Sequence, residues 1–371
     1  MTFGSLIVKN LFRQRTRTAL TAVGIAVGIA TVVALGVITG GLRTASNDFV
    51  KSGGADFMVA QKGASDLTYS AVSRRDWQAI EARPDVERAT GVLFEVAHVG
   101  SNPFFFYFGY EPAALGGLGL RPVAGRLLAP GAPREALLGA KAASSVGVTV
   151  GGSIVLDGLP FRVVGLYRTG DLWQDSGAVV PLATAQELSS KKNVVTAVHV
   201  VAAPGADPHD VAKDLERELP RLVAIESAAD YGKVDQGFEV LGAINLAISL
   251  LAVGIGAIGV MNTMIMSVFE RTREIGVLRA VGWRGSRIVR MILLESAALC
   301  VLGAFVGVLL GVAASRAILL VPAVSSFLTP SYAAEVFVRA LAVGLVVALV
   351  GALYPAFRAV RLSPMEALRY E

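Results

Sequence analysis

This sequence is short of the residues on which most active-site chemistry depends. Among its 371 residues are one cysteine, Cys300, and three histidines, His98, His199 and His209. A single cysteine excludes a disulfide framework and any cysteine cluster of the kind that holds zinc. The histidines are scattered without ligand spacing, and neither G-x-S-x-G nor His-Glu-x-x-His occurs. No metal centre or hydrolytic site is therefore expected. The phosphate cradle G-x-x-x-x-G-K-[ST] is absent too, so any ATP used must be held by another polypeptide.

Charge is missing in blocks. Thr18–Leu42, Val240–Phe269, Ser296–Ser315 and Ala340–Phe357 hold 25, 30, 20 and 18 residues without one Asp, Glu, Lys or Arg. The last is lengthened by "VFV" before Arg339. About 20 apolar residues rising about 1.5 Å each cross a hydrocarbon core of about 30 Å. Composition agrees: 54% of residues are hydrophobic, 17% are charged and mean hydropathy is +0.60, where soluble domains carry about a quarter charged. Four transmembrane helices are predicted.

The charge that is present sets a topology. Residues 43–239 carry 19 basic and 23 acidic side chains, leaving +9 for the rest of a chain whose net is +5. Lys9, Arg13, Arg15 and Arg17 precede the first run, six arginines lie between the second and third, and Arg358, Arg361 and Arg369 follow the fourth. Between the third and fourth stand only Arg316 and Arg339. Basic residues favour cytoplasmic flanks. Both termini and the 270–295 loop are therefore expected inside and 43–239 outside. The first apolar run is too long for a signal-peptide core and reads as a retained anchor. A pI of 9.4 follows from these flanking arginines and gives no reason to expect nucleic acid as a partner.

Within 43–239, "ADFMVAQ", "SRRDWQAIEAR" and "VERATGVLFEVAHVG" read as strand, helix and strand. The pattern recurs in "VVTAVHVVAA", "ADPHDVAKDLEREL" and "RLVAIES", with Asp207 as N-cap and Pro208 in the first turn. These units, about 52–101 and 193–227, predict one split α/β subdomain holding a mostly β insertion at about 102–192. Inside the insertion, "GSIVLDGLPFRVVGLYR" is a hairpin around Asp157-Gly158. "FFFYFGY" is a core strand, and "AALGGLGLRPVAGRLLAPGAP" is read as loop. The fold class is α+β: a membrane protein with four transmembrane helices and a large extracytoplasmic α/β domain of two subdomains between helices 1 and 2.

The loop "ERTREIGVLRAVGWRGSRIVRMILLES" predicts a short amphipathic helix with Ile275, Leu278 and Val281 near one face and arginines beside it. Gly282 is placed to end it and Ser286 to cap the next. Such a helix suits lipid headgroups or a partner protein; arginines that only set topology remain the simpler reading.

That loop, the tail "YPAFRAVRLSPMEALRYE", the opening "NLFRQRTRTALTAVGIAVGIA" and the segment "EALLGAKAASSVGVTVGGSIVLDGLPFRVVGLY" resemble the MacB/FtsX-like permease family of ABC transporters. The likeness is to the stand-alone four-helix type. It implies a coupling helix that docks on a separate ATPase, and on this sequence the matching positions are Glu274, Ile275, Leu278, Arg279, Ala280 and Gly282. Further implications are a homodimer with two ATPase subunits, a possible extracytoplasmic adaptor or envelope protein, and no cofactor on this chain, ATP and Mg being bound by the ATPase.

Glycines at every fourth position, Gly24 and Gly28, Gly36 and Gly40, and Gly303, Gly307 and Gly311, predict close helix packing within the bilayer, inside one subunit or between two. The second run is about 45 Å long. Its first turns, near Val240–Ala247, are therefore expected to stand outside the lipid as a stalk with the continuation of the first helix beyond Leu42. Two functions fit: a permease that moves an amphiphile or passes force to an envelope partner, and a membrane regulator that switches a cell-envelope enzyme without transport.

Overall fold

The computed structural model of the chain describes residues 15–100, 102–234, 236–325 and 328–361. The expected amino-terminal segment 1–17 and the tail 358–371 therefore lie mostly outside the described residues. The helices are α1 Arg15–Val50, α2 Arg74–Glu81, α3 Ala140–Val146, α4 Leu172–Asp175, α5 Leu182–Leu188, α6 Pro208–Glu218, α7 Gln236–Glu270, α8 Thr272–Ala280, α9 Gly285–Ile318, α10 Pro322–Ser325 and α11 Ala334–Arg361. Two compact units form: one takes residues up to Ile38, Ala243–Ala317 and those from Tyr332, the other Thr39–Gly242 and Ile318–Ser331.

The first unit is a helical bundle. Four helices are long and apolar enough to cross a membrane, within Thr16–Gly54, Val240–Glu270, Gly285–Ile318 and Ala334–Arg361. Their contacts run through small residues. A Cβ added at Gly303, Gly307 or Gly311 would stand 2.9 Å from Ile25, 2.7 Å from the Ala26 carbonyl or 2.7 Å from Val33. Those partners advance together, so α1 and α9 run parallel. Gly256 against Val347 and Gly351 against Val260 show the same for α7 and α11. Gly28 meets Ala252, while Thr21 and Thr263 share a 2.5 Å hydrogen bond, so α1 and α7 are antiparallel. Gly36 faces Val336 in this unit, and Gly40 faces Ser331 in the other. At Gly24 an added Cβ meets nothing within 4 Å, so that glycine makes no close helix contact among the described residues.

The second unit is built on a mixed sheet with strands β1 Phe57–Gln61, β2 Val72–Ser73, β3 Val86–Val99, β4 Asn102–Tyr110, β5 Arg121–Gly125, β6 Glu135–Gly139, β7 Ser153–Leu156, β8 Leu159–Arg168, β9 Ala178–Pro181, β10 Val194–Val195, β11 Ala197–Ala202 and β12 Leu222–Ile225. Ten of them form one sheet in the order β12-β1-β11-β3-β4-β9-β6-β8-β5, with β7 on β8; β10 and β2 pair apart. The two expected subdomains share β3. Its Arg88–Val92 stretch pairs with β11 and its Leu93–Ala97 stretch with β4. Alternation along β4 sends Phe105 and Tyr107 into the core beneath Trp77, Ile80, Val211 and Leu215 of α2 and α6. Phe106, Phe108 and Tyr110 enter the opposite core, with Ala45, Phe49 and Val50 of α1.

Local signals explain the boundaries. Ser73 accepts from the Asp76 amide at 3.1 Å and Asp207 from the His209 amide at 2.9 Å, each supplying an orphan donor of a first turn. Asp157 and Gly158 take φ of 46° and 79°, the left-handed pair that a two-residue hairpin needs. The glycine-rich stretch read as loop contains a strand: β5 pairs with β8, Arg121 opposite Arg168. Every residue of β5 is exposed, so this edge strand has no apolar alternation to betray it.

Candidate functional site

The loop between α7 and α9 carries the densest set of candidate residues, and the bundle holds it firmly. Arg271 precedes α8 and lies buried with Glu295 of α9, its guanidinium donating to both carboxylate oxygens at 3.2 and 3.0 Å. Such a pair offsets its desolvation only while both partners remain. The Thr272 hydroxyl donates back to the Val268 and Phe269 carbonyls at 3.2 and 2.8 Å, joining α7 to α8. At the far end the Gly282 amide donates to the Arg279 carbonyl and the Trp283 amide to that of Leu278, both at 3.0 Å, with Gly282 at φ 95°. This is the paired bonding of a glycine-terminated helix.

The exposed face differs from the one the sequence suggested. Ile275 is 3% exposed and belongs to the bundle core with Ile288 and Ile292, reaching only the floor of the groove beside α8 and not its outer face. Three and six residues further on are about 60° and about 120° around the helix from Ile275, so the three span an arc whose one edge, Ile275, meets the bundle while the other, Val281, faces outward. Val277 and Val281, 45% and 76% exposed, lie one turn apart on the outer side. Glu274 and Ala280 are exposed near them, while Leu278 and Arg279 are half-buried. Ser286 sits inside α9, which starts at Gly285, and so is not its N-cap. A groove of about 640 Å³ opens beside α8, lined by Glu270, Glu274, Val277, Leu278, Trp283 and Met291 among others. The i, i+4 valine pair was a usable sequence signal for this face; nothing local pointed from Arg271 to Glu295, 24 residues away.

In the sheet domain, buried polar groups gather near the end of α1. Gln174 donates to the Ser52 hydroxyl at 2.6 Å and to Tyr110 at 3.1 Å. Asp171 caps α4 through the Trp173 amide at 2.8 Å, and burial pushes its carboxyl up to about 7, helped by nearby Asp48 and Asp175. His199 lies edge-on to Phe49 at 5.2 Å, and burial lowers it to about 4. Among the described residues no three His, Cys, Asp or Glu side chains gather as a metal site.

Comparison with known proteins places these features. A model of the MacB-like periplasmic core domain matches residues 18–218, and one of the FtsX-like permease C-terminal region matches 246–364. The macrolide export ATP-binding/permease protein MacB of Bdellovibrio bacteriovorus is 27% identical over 98% of this chain and 61% of its own length. The chain thus spans about three-fifths of that relative. An ABC transporter permease of Methanocaldococcus jannaschii is 25% identical over 98% of this chain and 96% of its own. Among solved structures, the periplasmic region of MacB from Actinobacillus actinomycetemcomitans covers 50% of this chain and 94% of that one, at 14% identity and a TM-score of 0.39. The chain is a multi-pass membrane protein that belongs to the MacB-type permease family, with a MacB-like periplasmic core domain followed by an FtsX-like permease C-terminal region.

Proposed function

We propose that this chain is the membrane subunit of an ABC transporter and that the exposed side of α8 is where a separate ATPase docks. The supporting observation is the way α8 is held: the buried Arg271–Glu295 pair and Ile275 fix it to the bundle while Glu274, Val277, Ala280 and Val281 face outward beside a groove. A helix so tied passes displacement to α7 and α9 instead of folding away. Leu278 and Arg279 border the contact, and Gly282 sets the turn that follows it. In this reading the chain has no catalysis of its own, ATP and Mg are bound by the ATPase, and two copies of the chain pair around two ATPase subunits.

Both termini and α8 then lie in the cytoplasm, and the sheet domain lies outside. The first turns of α7 and the continuation of α1 beyond Leu42 serve as a stalk through which the domain moves, with an adaptor or other envelope protein as its outer partner. Relatives named for export of macrolides and of pyoverdine support an amphiphile as the cargo, moved out or extracted from the bilayer.

The test is Val281→Asp in the reconstituted permease and ATPase complex. Burying a carboxylate in an apolar contact without a partner lowers permease-stimulated ATP hydrolysis by about tenfold or more, with insertion intact. Stimulated hydrolysis equal to that of the unmodified chain sinks the docking face.

A further inference from the structure

A polar cluster lies between two membrane-spanning helices, far along the bundle from α8. Arg339 of α11 donates to the Ser249 hydroxyl of α7 at 3.2 Å, and that hydroxyl donates to the Asn245 carbonyl one turn back at 2.7 Å. The parallel contacts of Gly256 with Val347 and Val260 with Gly351 carry this pairing on down both helices, so it is a built-in register and not a stray surface contact. Asn245 is 7% exposed, and its side-chain Oδ1 is enclosed without a hydrogen-bond partner. Arg339 makes no ion pair within 4 Å among the described residues, Glu335 one turn earlier on α11 included.

Arg339 is exposed at the bundle surface with Ser249 as its side-chain partner, and a guanidinium without a counter-charge near hydrocarbon is costly and marks a site that an anionic ligand completes. Depth narrows the ligand. The 28 residues of α11 extend about 42 Å against a core of about 30 Å. Arg339, five residues from the start of α11, then stands at the boundary where phosphates begin, whichever way the bundle faces. Leu246, Leu250, Val338 and Leu341 are exposed apolar side chains next to it in sequence, suited to acyl chains. The enclosed Oδ1 is out of a ligand's reach, but the Asn245 N–H2 is not among the enclosed atoms, and together with Arg339 it makes a donor set for an anion.

We propose that Arg339 and Asn245 bind the phosphate of a membrane phospholipid, held between α7 and α11 with its chains along the adjoining leucines. Arg339 supplies the charge-assisted bonds, Ser249 holds the guanidinium in place, and Asn245 adds a neutral donor. This site is independent of ATPase docking and is measured on the full chain alone.

The experiment is native mass spectrometry of the purified full chain exchanged into detergent with phosphatidylglycerol, phosphatidylethanolamine or a diacylglycerol of the same chains. Both phospholipids are retained and diacylglycerol is not. Arg339→Gln lowers retention about tenfold, the loss of a charge-assisted hydrogen bond, and Arg339→Lys keeps most of it. Asn245→Leu, which removes the amide and leaves no buried polar group behind, also lowers retention while the melting temperature holds. Equal retention by Arg339→Gln and Asn245→Leu overturns the site. Retention of diacylglycerol, or displacement of the lipid by inorganic phosphate, overturns the assignment to a phospholipid phosphate.

Discussion

In the helical unit the closest contacts are made by Gly303, Gly307, Gly311, Gly256 and Gly351, while Leu250, Leu251 and Ile255 point away from neighbouring helices. The sheet unit also has tightly enclosed glycines, such as Gly139 and Gly165, but there the large side chains turn inward: Tyr107, Tyr110, Tyr167, Phe49, Phe57 and Phe108 are fully buried, and the exposed side chains are mostly polar. The difference reflects the solvent each unit is built for. Water expels large apolar side chains, so a water-facing domain gains most by burying them. Lipid does not expel them, and helices in it associate by close backbone approach at small residues. The same chain thus obeys two packing rules, and each has its own weakest point.

The sharpest break comes from putting a large residue where the bundle needs a small one. At Gly307 an added Cβ already lies 2.7 Å from the Ala26 carbonyl and 2.8 Å from Ile29. Gly307→Leu is expected to cost more than the about 1–3 kcal/mol of ordinary overpacking, because the obstacle is partly backbone. Size-exclusion chromatography in detergent then shows little monodisperse protein, whereas Gly24→Leu, with open space around it, elutes as the parent does. Equal behaviour of the two variants removes the distinction.

Putting a small residue where the sheet domain needs a large one is the converse. Phe108 is fully buried among Phe49 and Phe94, with ring centroids 5.6 and 5.5 Å away. Phe108→Ala is expected to destabilise that domain by about 3–5 kcal/mol. Denaturant melts followed at Trp173, stacked on Phe94 in the same cluster, shift to lower midpoint. Helical circular dichroism from the bundle stays; loss of both together breaks the separation of the two units.

The smallest effect concerns charge in the sheet core. Asp171 has a folded pKa of about 7 against about 3.9 unfolded. The folded state therefore binds the proton more tightly, and this carboxyl's contribution to stability falls as pH rises from about 4 to about 7. Asp171→Asn keeps the helix cap and is expected to raise stability by on the order of 2 kcal/mol at pH 8, with no gain below pH 4. Thermal melts across that range check the sign. A gain that is the same at every pH shows that Asp171 is not neutral in the fold.

Much of this architecture was legible in the residues themselves. Charge-free runs longer than a bilayer leave few alternatives, and the Asp157-Gly158 turn and the Ser73 and Asp207 caps are local devices with local signatures. β6 and β9 went unread because they are short, four or five residues and almost wholly buried, so they show no alternation; β9 in addition lies parallel to β4, about 70 residues earlier. The face of α8 was misjudged at Ile275 because a nine-residue helix shows too few turns to fix which side meets the bundle. Arg339 counted only as a topogenic charge until its helix was seen beside Ser249.

The strand order of the sheet has a consequence for how the protein is made. β1, whose residues appear early in synthesis, finds its neighbours only in β11 and β12, with Phe57 opposite Val200 and Gln61 opposite Leu222. Some 140 residues must emerge, and the whole 102–192 half must be accommodated, before β1 has either partner. Pairing across such separations is slow, and unpaired edges are exposed meanwhile. The domain's hazard is thus one of timing during biogenesis, and it falls in the interval between the arrival of β4 and that of β11.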